Sequence, residues 1–264
     1  MYQEERLQAI LGHLHLYKRI RVEEMCDRFG VSRDTARRDL VKLEEQGAIV
    51  RTHGGAILPL LTKDVRLYDE RVRTDTEGKR LIGQTAVELI QDGDYLLMNA
   101  STTVQYAAEF LKTKDNVVVT NSIDIADLLS RRNDVAIHLL GGQLHPRQRF
   151  VYGAKAIDML GDYQVDKLLL GTCGITPDGL TYPYEEEGHV LRAMMQHADQ
   201  VIALADHTKF SKRLFFKVAS LREIDVLVTD QEPDQVIAET LRQAGVDIVI
   251  VPDPLIPIEE VGSR

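Results

Sequence analysis

From Asp94 onward, short β-rich runs alternate with helical stretches, and this alternation limits the fold more than any other feature of the chain. Residues 95–98, 117–120, 135–140, 167–170, 201–205, 225–228 and 247–251 read as strands. Helices begin at Thr103 and Ile123 and lie near Ala154, Glu187 and Pro233. Strands that alternate with helices call for a mainly parallel sheet covered on both faces. Ligands of such sheets gather beyond the carboxyl ends of the strands. Five polar or glycine-rich loops belong to that edge: residues 99–103, 120–122, 141–143, 171–174 and 206–209.

The first 58 residues follow a different pattern. Leu7, Ile10, Leu11 and Leu14 form the stripe of one helix, and Val22, Met25, Cys26 and Phe29 that of a second. Gly30 breaks the period, and Ser32 offers an oxygen to the free N–H groups of a third helix. There Ala36, Leu40 and Leu43 point inward, while Arg33, Asp34, Arg37 and Arg38 project from the other side. Gly47 ends this helix. Residues 48–51 read as a strand, and 52–55 as a tight turn into 56–58, a small wing. A helix fits the major groove, and arginine donates two hydrogen bonds to a guanine edge. The alternative for the four charged residues is a solvated face with Asp34 and Arg38 paired four residues apart. His53, beside Arg51 on the wing, is placed for the sugar-phosphate backbone or for solvent.

Charge follows the same division. Ten Lys and Arg face nine Asp and Glu in residues 1–58, against 22 and 32 in the remainder, within a net charge of -9. A near-neutral, arginine-weighted head on an acidic body suggests separate tasks. At 264 residues the chain has room for roughly two domains. Two cysteines, Cys26 and Cys173, cannot form a disulfide framework or a cysteine-rich zinc site, which points to a reducing cytoplasm. The apolar runs are strand-sized, so neither a membrane span nor an export signal is expected. Residues 59–75 are charged and aperiodic and read as a linker, giving a head of 1–58, a body of 76–252 and a tail of 253–264.

The run of residues 31–57 closely resembles the N-terminal signature of the DeoR family of bacterial transcriptional regulators. The family's Val-Ser-x-x-Thr-x-Arg-Arg-Asp-Leu segment appears as Val31, Ser32, Thr35, Arg37, Arg38, Asp39 and Leu40, and its Arg-x-His-Gly-Gly-Ala segment as Arg51, His53, Gly54, Gly55 and Ala56. The body is similar to the family's C-terminal domain at residues 99–103, 119–122, 139–142 and 206–210. The resemblance implies an α/β protein: an N-terminal winged helix-turn-helix domain followed by a mainly parallel α/β effector domain like ribose-5-phosphate isomerase. It places Ser32, Thr35, Arg37 and Arg38 in the operator-reading element, with Asp39 and Leu40 structural; together with Arg33 from the helix face and Arg51 and His53 from the wing they form the candidate DNA-contact set. The family typically senses phosphorylated sugars, which directs attention to Thr102, Thr103 and Lys209. Asn99 stands where the family often has aspartate and Ser101 where it often has glycine, departures that bear on hydroxyl binding and on the approach of backbone to phosphate.

Read from the residues themselves, 101–103 open a helix after a strand, where N–H groups and hydroxyls either hold a phosphate or simply cap the helix. Asn99, Ser101, Thr102, Thr103, Asn121, Gly141, Gly142, Glu187 and Lys209 form the candidate effector set. Residues 185–187 are three glutamates, either a solvated helix start or a source of a hydroxyl-binding carboxylate. Arg147 and Arg149 are placed to close over an anion. The expected function is a repressor of a sugar or polyol operon, acting as a dimer or tetramer on double-stranded operator DNA. The alternative is an isomerase or deaminase with a DNA-binding head, but at the expected strand end the chain has residues 171–175, Gly-Thr-Cys-Gly-Ile, without the paired carboxylates such enzymes carry. No motif requires a metal or redox cofactor.

Overall fold

A computed structural model describes residues 2–45, 48–58, 66–74 and 76–251. Gly47, most of the expected linker and the expected tail lie outside these residues. The head comprises α1 (Gln3–Tyr17), β1 (Arg19–Arg21), α2 (Val22–Phe29), α3 (Arg33–Glu45), β2 (Val50–Thr52) and β3 (Gly55–Ile57). The stripes read from sequence meet in one core, where Ile10, Leu14, Met25, Ala36, Leu40 and Leu43 are fully buried. α2 stops where Gly30 turns left-handed at φ 63° and its N–H returns to the Cys26 carbonyl.

The wing is larger than a hairpin. β3 pairs antiparallel with both β2 and β1, aligning Arg21 with Gly55 and Arg51 with Ala56. β1 has only three residues, with Ile20 buried between exposed Arg19 and Arg21, too short for an alternating pattern to register in the sequence. Gly55 is obligatory, since a Cβ there would overlap the Ile20 carbonyl.

Residues 66–74, expected as linker, contain the short helix α4 (Tyr68–Val72). Tyr68 is buried, and its hydroxyl bonds Gln105 of the body. A single buried anchor without a sustained period is what hid this helix. The body continues with α5 (Thr76–Val87), β4 (Tyr95–Met98), α6 (Thr102–Phe110), β5 (Asn116–Thr120), α7 (Ile123–Leu129), β6 (Val135–Leu139), β7 (Gln143–His145), β8 (Phe150–Tyr152) and α8 (Ala154–Leu160). Then come β9 (Val165–Gly171), β10 (Gly174–Thr176), β11 (Gly179–Tyr182), α9 (Glu185–Gln196), β12 (Ala198–Ala205), β13 (Phe216–Ala219), β14 (Val226–Thr229), α10 (Gln235–Ala244) and β15 (Asp247–Ile250).

Seven strands form one parallel sheet in the order β15-β14-β12-β9-β4-β5-β6. The period of two decides its faces. Leu96, Met98, Leu169, Ile202 and Leu204 pack with α5, α6 and α7. Leu97, Leu168, Leu170, Ala203 and Ala205 pack with α8, α9 and α10. The chain winds outward in both directions from the β9–β4 boundary, so a crevice opens there at the carboxyl edge. Two smaller pieces were not expected: the β7–β8 hairpin and an antiparallel sheet β10-β11-β13, both assembled by pairings that include distant segments.

Candidate functional site

The head presents a basic face. Arg33, Asp34, Arg37 and Arg38 are exposed on α3, opposite the buried stripe. Ser32 caps the helix, its Oγ accepting from the Thr35 N–H at 3.2 Å and lying 2.9 Å from the Thr35 hydroxyl. Asp34 and Arg38 do not pair. Arg33 instead meets Glu23 of α2 at 3.1 Å, and Arg51 meets Glu44 at 3.5 Å, both exposed pairs that water screens. Arg37 and Arg38 have no ion-pair partner among the described residues. Between α3, β1 and the wing runs an open groove of about 480 Å³ lined by Arg19, Arg21, Arg33, Arg37, Arg51 and His53. Arg19 and Arg21 were not among the sequence candidates, because their place in the groove depends on the pairing of β1 with the wing.

Asp39 faces the other way. It is fully buried, and both its oxygens bond Arg6, at 2.5 and 3.1 Å, while Gln3 adds a third bond. The Asp39 hydrogen bond raises the Arg6 guanidinium above its ordinary value. This pair ties α1 to α3 and fixes how the recognition face is presented.

In the body, all five candidate loops follow neighbouring strands, from β12 to β6, on one edge. Strands sit about 4.8 Å apart, so the ends of β12 and β6 are roughly 19 Å from each other. Gly141 and Gly142 therefore stand well away from the end of β12. These two glycines serve a turn instead: Gly142 has φ 150°, and a Cβ there would crowd the Tyr152 carbonyl.

The two asparagines are committed to backbone. Asn99 donates to the Gly171 carbonyl at 3.2 Å and accepts from its N–H at 2.8 Å, closing the β4–β9 boundary. Asn121 accepts from the Ala100 N–H at 2.9 Å and donates to the Val151 carbonyl at 3.1 Å. Both shape the edge rather than offer free amide groups. Ser101 caps α6, accepting from the Thr103 N–H at 3.3 Å, and Thr102 and Thr103 are buried in the first turn. Both readings of this segment are thus compatible with the structure, since the cap leaves the threonine hydroxyls available.

Lys209 lies at the expected edge but carries its own counter-ion. Its Nζ sits 2.6 Å from Asp206 and 2.8 Å from the Thr208 hydroxyl. Burial opposes ionisation of Asp206, yet the charge and hydrogen bond of Lys209, with the Thr208 bond, hold it below the usual carboxylate range. Lys212 has no ion-pair partner among the described residues, and burial, then Lys209, depresses its ammonium. Lys79 and Arg71 complete a cluster of four cations: Lys79 Nζ donates to the carbonyls of Arg71 and Thr74 at 2.6 and 2.5 Å, and Arg71 donates to Gln148 at 2.9 Å. None of Arg71, Lys79 and Lys212 was a sequence candidate, since each comes from a segment outside the motif loops.

Of the three glutamates in the first turn of α9, Glu185 and Glu186 are exposed and only Glu187 turns inward. No hydrogen bond reaches its carboxyl among the described residues, and burial pushes its pKa up to about 7, with Arg71 opposing. Cys173 nearby is raised to about 11 by burial and by Glu187, so its thiol stays protonated. Tyr182 donates to the Gly171 carbonyl at 2.7 Å. Arg149 is spent on Asp124, at 2.8 Å, and Arg147 is exposed. Among the described residues no cluster of His, Cys, Asp and Glu is arranged for a metal, and no helix is long and apolar enough to cross a membrane.

Comparison with known proteins agrees with this arrangement. The family model for the DeoR-like helix-turn-helix domain matches residues 6–60, and that for the DeoR C-terminal sensor domain matches 74–231. The HTH-type transcriptional repressor GlcR of Bacillus subtilis (strain 168) is 50% identical over 250 residues, covering 95% of this chain and 97% of that protein. The glycerol-3-phosphate regulon repressor of Escherichia coli (strain K12) is 32% identical over 251 residues, covering 94% and 99%. Among solved structures, ribose 5-phosphate isomerase A from Neisseria gonorrhoeae aligns with a TM-score of 0.39 and 16% identity over 52% of this chain and 54% of that one. With a helix-turn-helix head matched by one family model and a parallel α/β body matched by the other, the chain belongs to the DeoR family of transcriptional regulators.

Proposed function

We propose that this regulator represses a sugar or polyol utilisation operon in the cytoplasm and is controlled by a phosphorylated sugar. One observation carries the reading: an acidic chain of net charge -9 gathers unpaired arginines on its head and four cations at the sheet edge of its body. Arg37 and Arg38 read base edges in the major groove, while Ser32, Arg33, Thr35, Arg51 and His53 hold the sugar-phosphate backbone. At the other end, the N–H groups and hydroxyls of Thr102 and Thr103 hold the phosphate, with Lys212 and the Asp206-bound Lys209 supplying positive charge.

The functional division is a DNA head of residues 1–58, a joining segment of 59–75, a sensor of 76–252 and a tail of 253–264. Regulators of this kind bind two-fold operators as dimers or tetramers, because half-site spacing mirrors protein symmetry. The phosphorylated sugar binds one arrangement of subunits better than another, and that difference in affinity moves the heads relative to the operator. The E. coli relative, named for a glycerol-3-phosphate regulon, supports a phosphorylated polyol as the class of effector, and two relatives named as repressors support repression.

The test is selection of genomic DNA fragments by the purified protein at near-physiological salt, with and without a mixture of sugar phosphates. A few sharply enriched fragments whose yield changes with the mixture are expected. Uniform recovery in both conditions overturns the reading.

A further inference from the structure

Residues 61–73 fall between the two family-model matches, yet part of this segment enters the sensor. α4 inserts Tyr68 against Gln105 and ties the Arg71 guanidinium to Gln148. Gln148 in turn donates to the Arg66 carbonyl, and Lys79 bonds the Arg71 carbonyl, so α4 is held from both sides. Within this scaffold the Arg71 Nε is buried and has no hydrogen-bond partner. A second buried group without a partner is the Thr172 hydroxyl, at the end of β9. Beside them the Glu187 carboxyl, on a residue only 6% exposed, keeps an opening to solvent and takes part in no hydrogen bond among the described residues. Native interiors pair such groups, so the two orphaned atoms beside the open Glu187 carboxyl mark a place where something else completes the bonding.

The chemistry of the three specifies the occupant. Arg71 Nε only donates, ionised Glu187 only accepts, and the Thr172 hydroxyl does either. Hydroxyl groups, which both donate and accept, satisfy all three, whereas a bare phosphate finds no donor in ionised Glu187. Resting on the sensor reading above, we propose that Arg71, Thr172 and Glu187 form the hydroxyl-reading half of the effector site, binding the polyol portion of a phosphorylated sugar. Arg71 is then an effector-contacting residue on α4, a helix that ten residues separate from the wing strand β3 in the chain. Occupancy is felt directly by the segment that leads to the DNA head, without passing through the sheet.

The test compares wild type, Arg71→Gln, Arg71→Lys and Thr172→Val by calorimetric titration with fructose 6-phosphate, glycerol 3-phosphate and inorganic phosphate. Hydrogen exchange of residues 68–74 is followed in parallel. Arg71→Gln is expected to weaken the best sugar phosphate about 10- to 100-fold, the loss of one charged hydrogen bond, and to change inorganic phosphate by less than about threefold. Arg71→Lys, which keeps the charge but not the planar donor, is expected to fall between. The sugar phosphate should slow exchange in α4 of the wild type and, at saturation, leave that of Arg71→Gln unchanged. Undiminished sugar-phosphate binding by Arg71→Gln and Thr172→Val overturns this proposal and leaves the sensor reading standing. Equal loss of inorganic phosphate overturns the hydroxyl assignment. If none of the three compounds binds the wild type, the sensor reading fails and this proposal fails with it. A melt of each variant without ligand identifies misfolding, and Thr172→Val tests the same subsite should Arg71→Gln prove unstable.

Discussion

Glu187 is a carboxyl group that folding buries, and Glu187→Gln removes its charge with little change of shape. Burial raises its pKa from 4.5 to about 7 despite the opposing field of Arg71. The folded protein therefore holds the Glu187 proton more tightly than the unfolded chain does. Between pH 4.5 and 7 the native state binds more protons, so stability falls as pH rises through that window, and the full penalty is present above it. A rise from 4.5 to about 7 corresponds to roughly 3 kcal/mol at the upper pH limit. Over pH 5 to 8 the change amounts to roughly 2–3 kcal/mol. Glutamine does not titrate, so urea unfolding followed by circular dichroism should find the variant more stable than wild type, with a margin that grows by about this amount between pH 5 and pH 8. A constant margin, or a variant less stable at pH 8, would refute the claim that Glu187 is buried at a cost.

Arg37→Ala and Arg38→Ala should each abolish specific operator binding and lower the salt slope of DNA affinity by about one, while sugar-phosphate binding is unchanged. If ligand binding disappears as well, the separation of head from sensor is wrong. Asp39→Ala removes the buried carboxylate that bonds Arg6 and should destabilise the head by about 3–5 kcal/mol. A loss in thermal unfolding of less than about 1 kcal/mol would show the pair to be unimportant. Gly171→Ala places a methyl group on Ser101 Oγ and Cβ and should cost about 1–3 kcal/mol. Ser101→Gly, which by itself costs a few tenths, should recover most of that loss in the double variant, and additive costs would place the strain elsewhere.

The elements that were readable from sequence are those whose pattern is local. Leu7, Ile10, Leu11 and Leu14 state their helix by spacing alone, and the parallel strands are continuous apolar runs because both faces of the sheet are covered. β1, α4 and the β10-β11-β13 sheet escaped because their residues are fixed by partners far along the chain: Arg21 by Gly55, Tyr68 by Gln105, Leu180 by Ala219. The same cause divided the site. Thr102, Thr103 and Lys209 sit in recognisable loops, whereas Arg71 and Lys79 come from before the sheet and Lys212 from after a turn. A glutamate triplet cannot disclose which member faces inward; the helix start at Glu185 decides that it is Glu187.

Asn99 and Ser101, the two departures from the family pattern, prove to be one feature. Both answer to Gly171. β4 and β9 cease to pair beyond Met98 and Leu169, except that the Asn99 N–H still reaches the Leu169 carbonyl at 3.3 Å. The Asn99 side chain then takes over, meeting the Gly171 N–H with its oxygen and the Gly171 carbonyl with its nitrogen. An ionised aspartate supplies only the first of these bonds and turns a second lone pair toward the carbonyl. Asparagine thus extends the pairing of the two central strands by one residue, and glycine at 171 leaves space for the serine that caps α6. The cost of replacing a carboxylate and a glycine is met within the same three residues. What distinguishes one sugar from another has to be sought among side chains that the clamp leaves unbonded, and those stand on α4, at the end of β9 and in the first turn of α9.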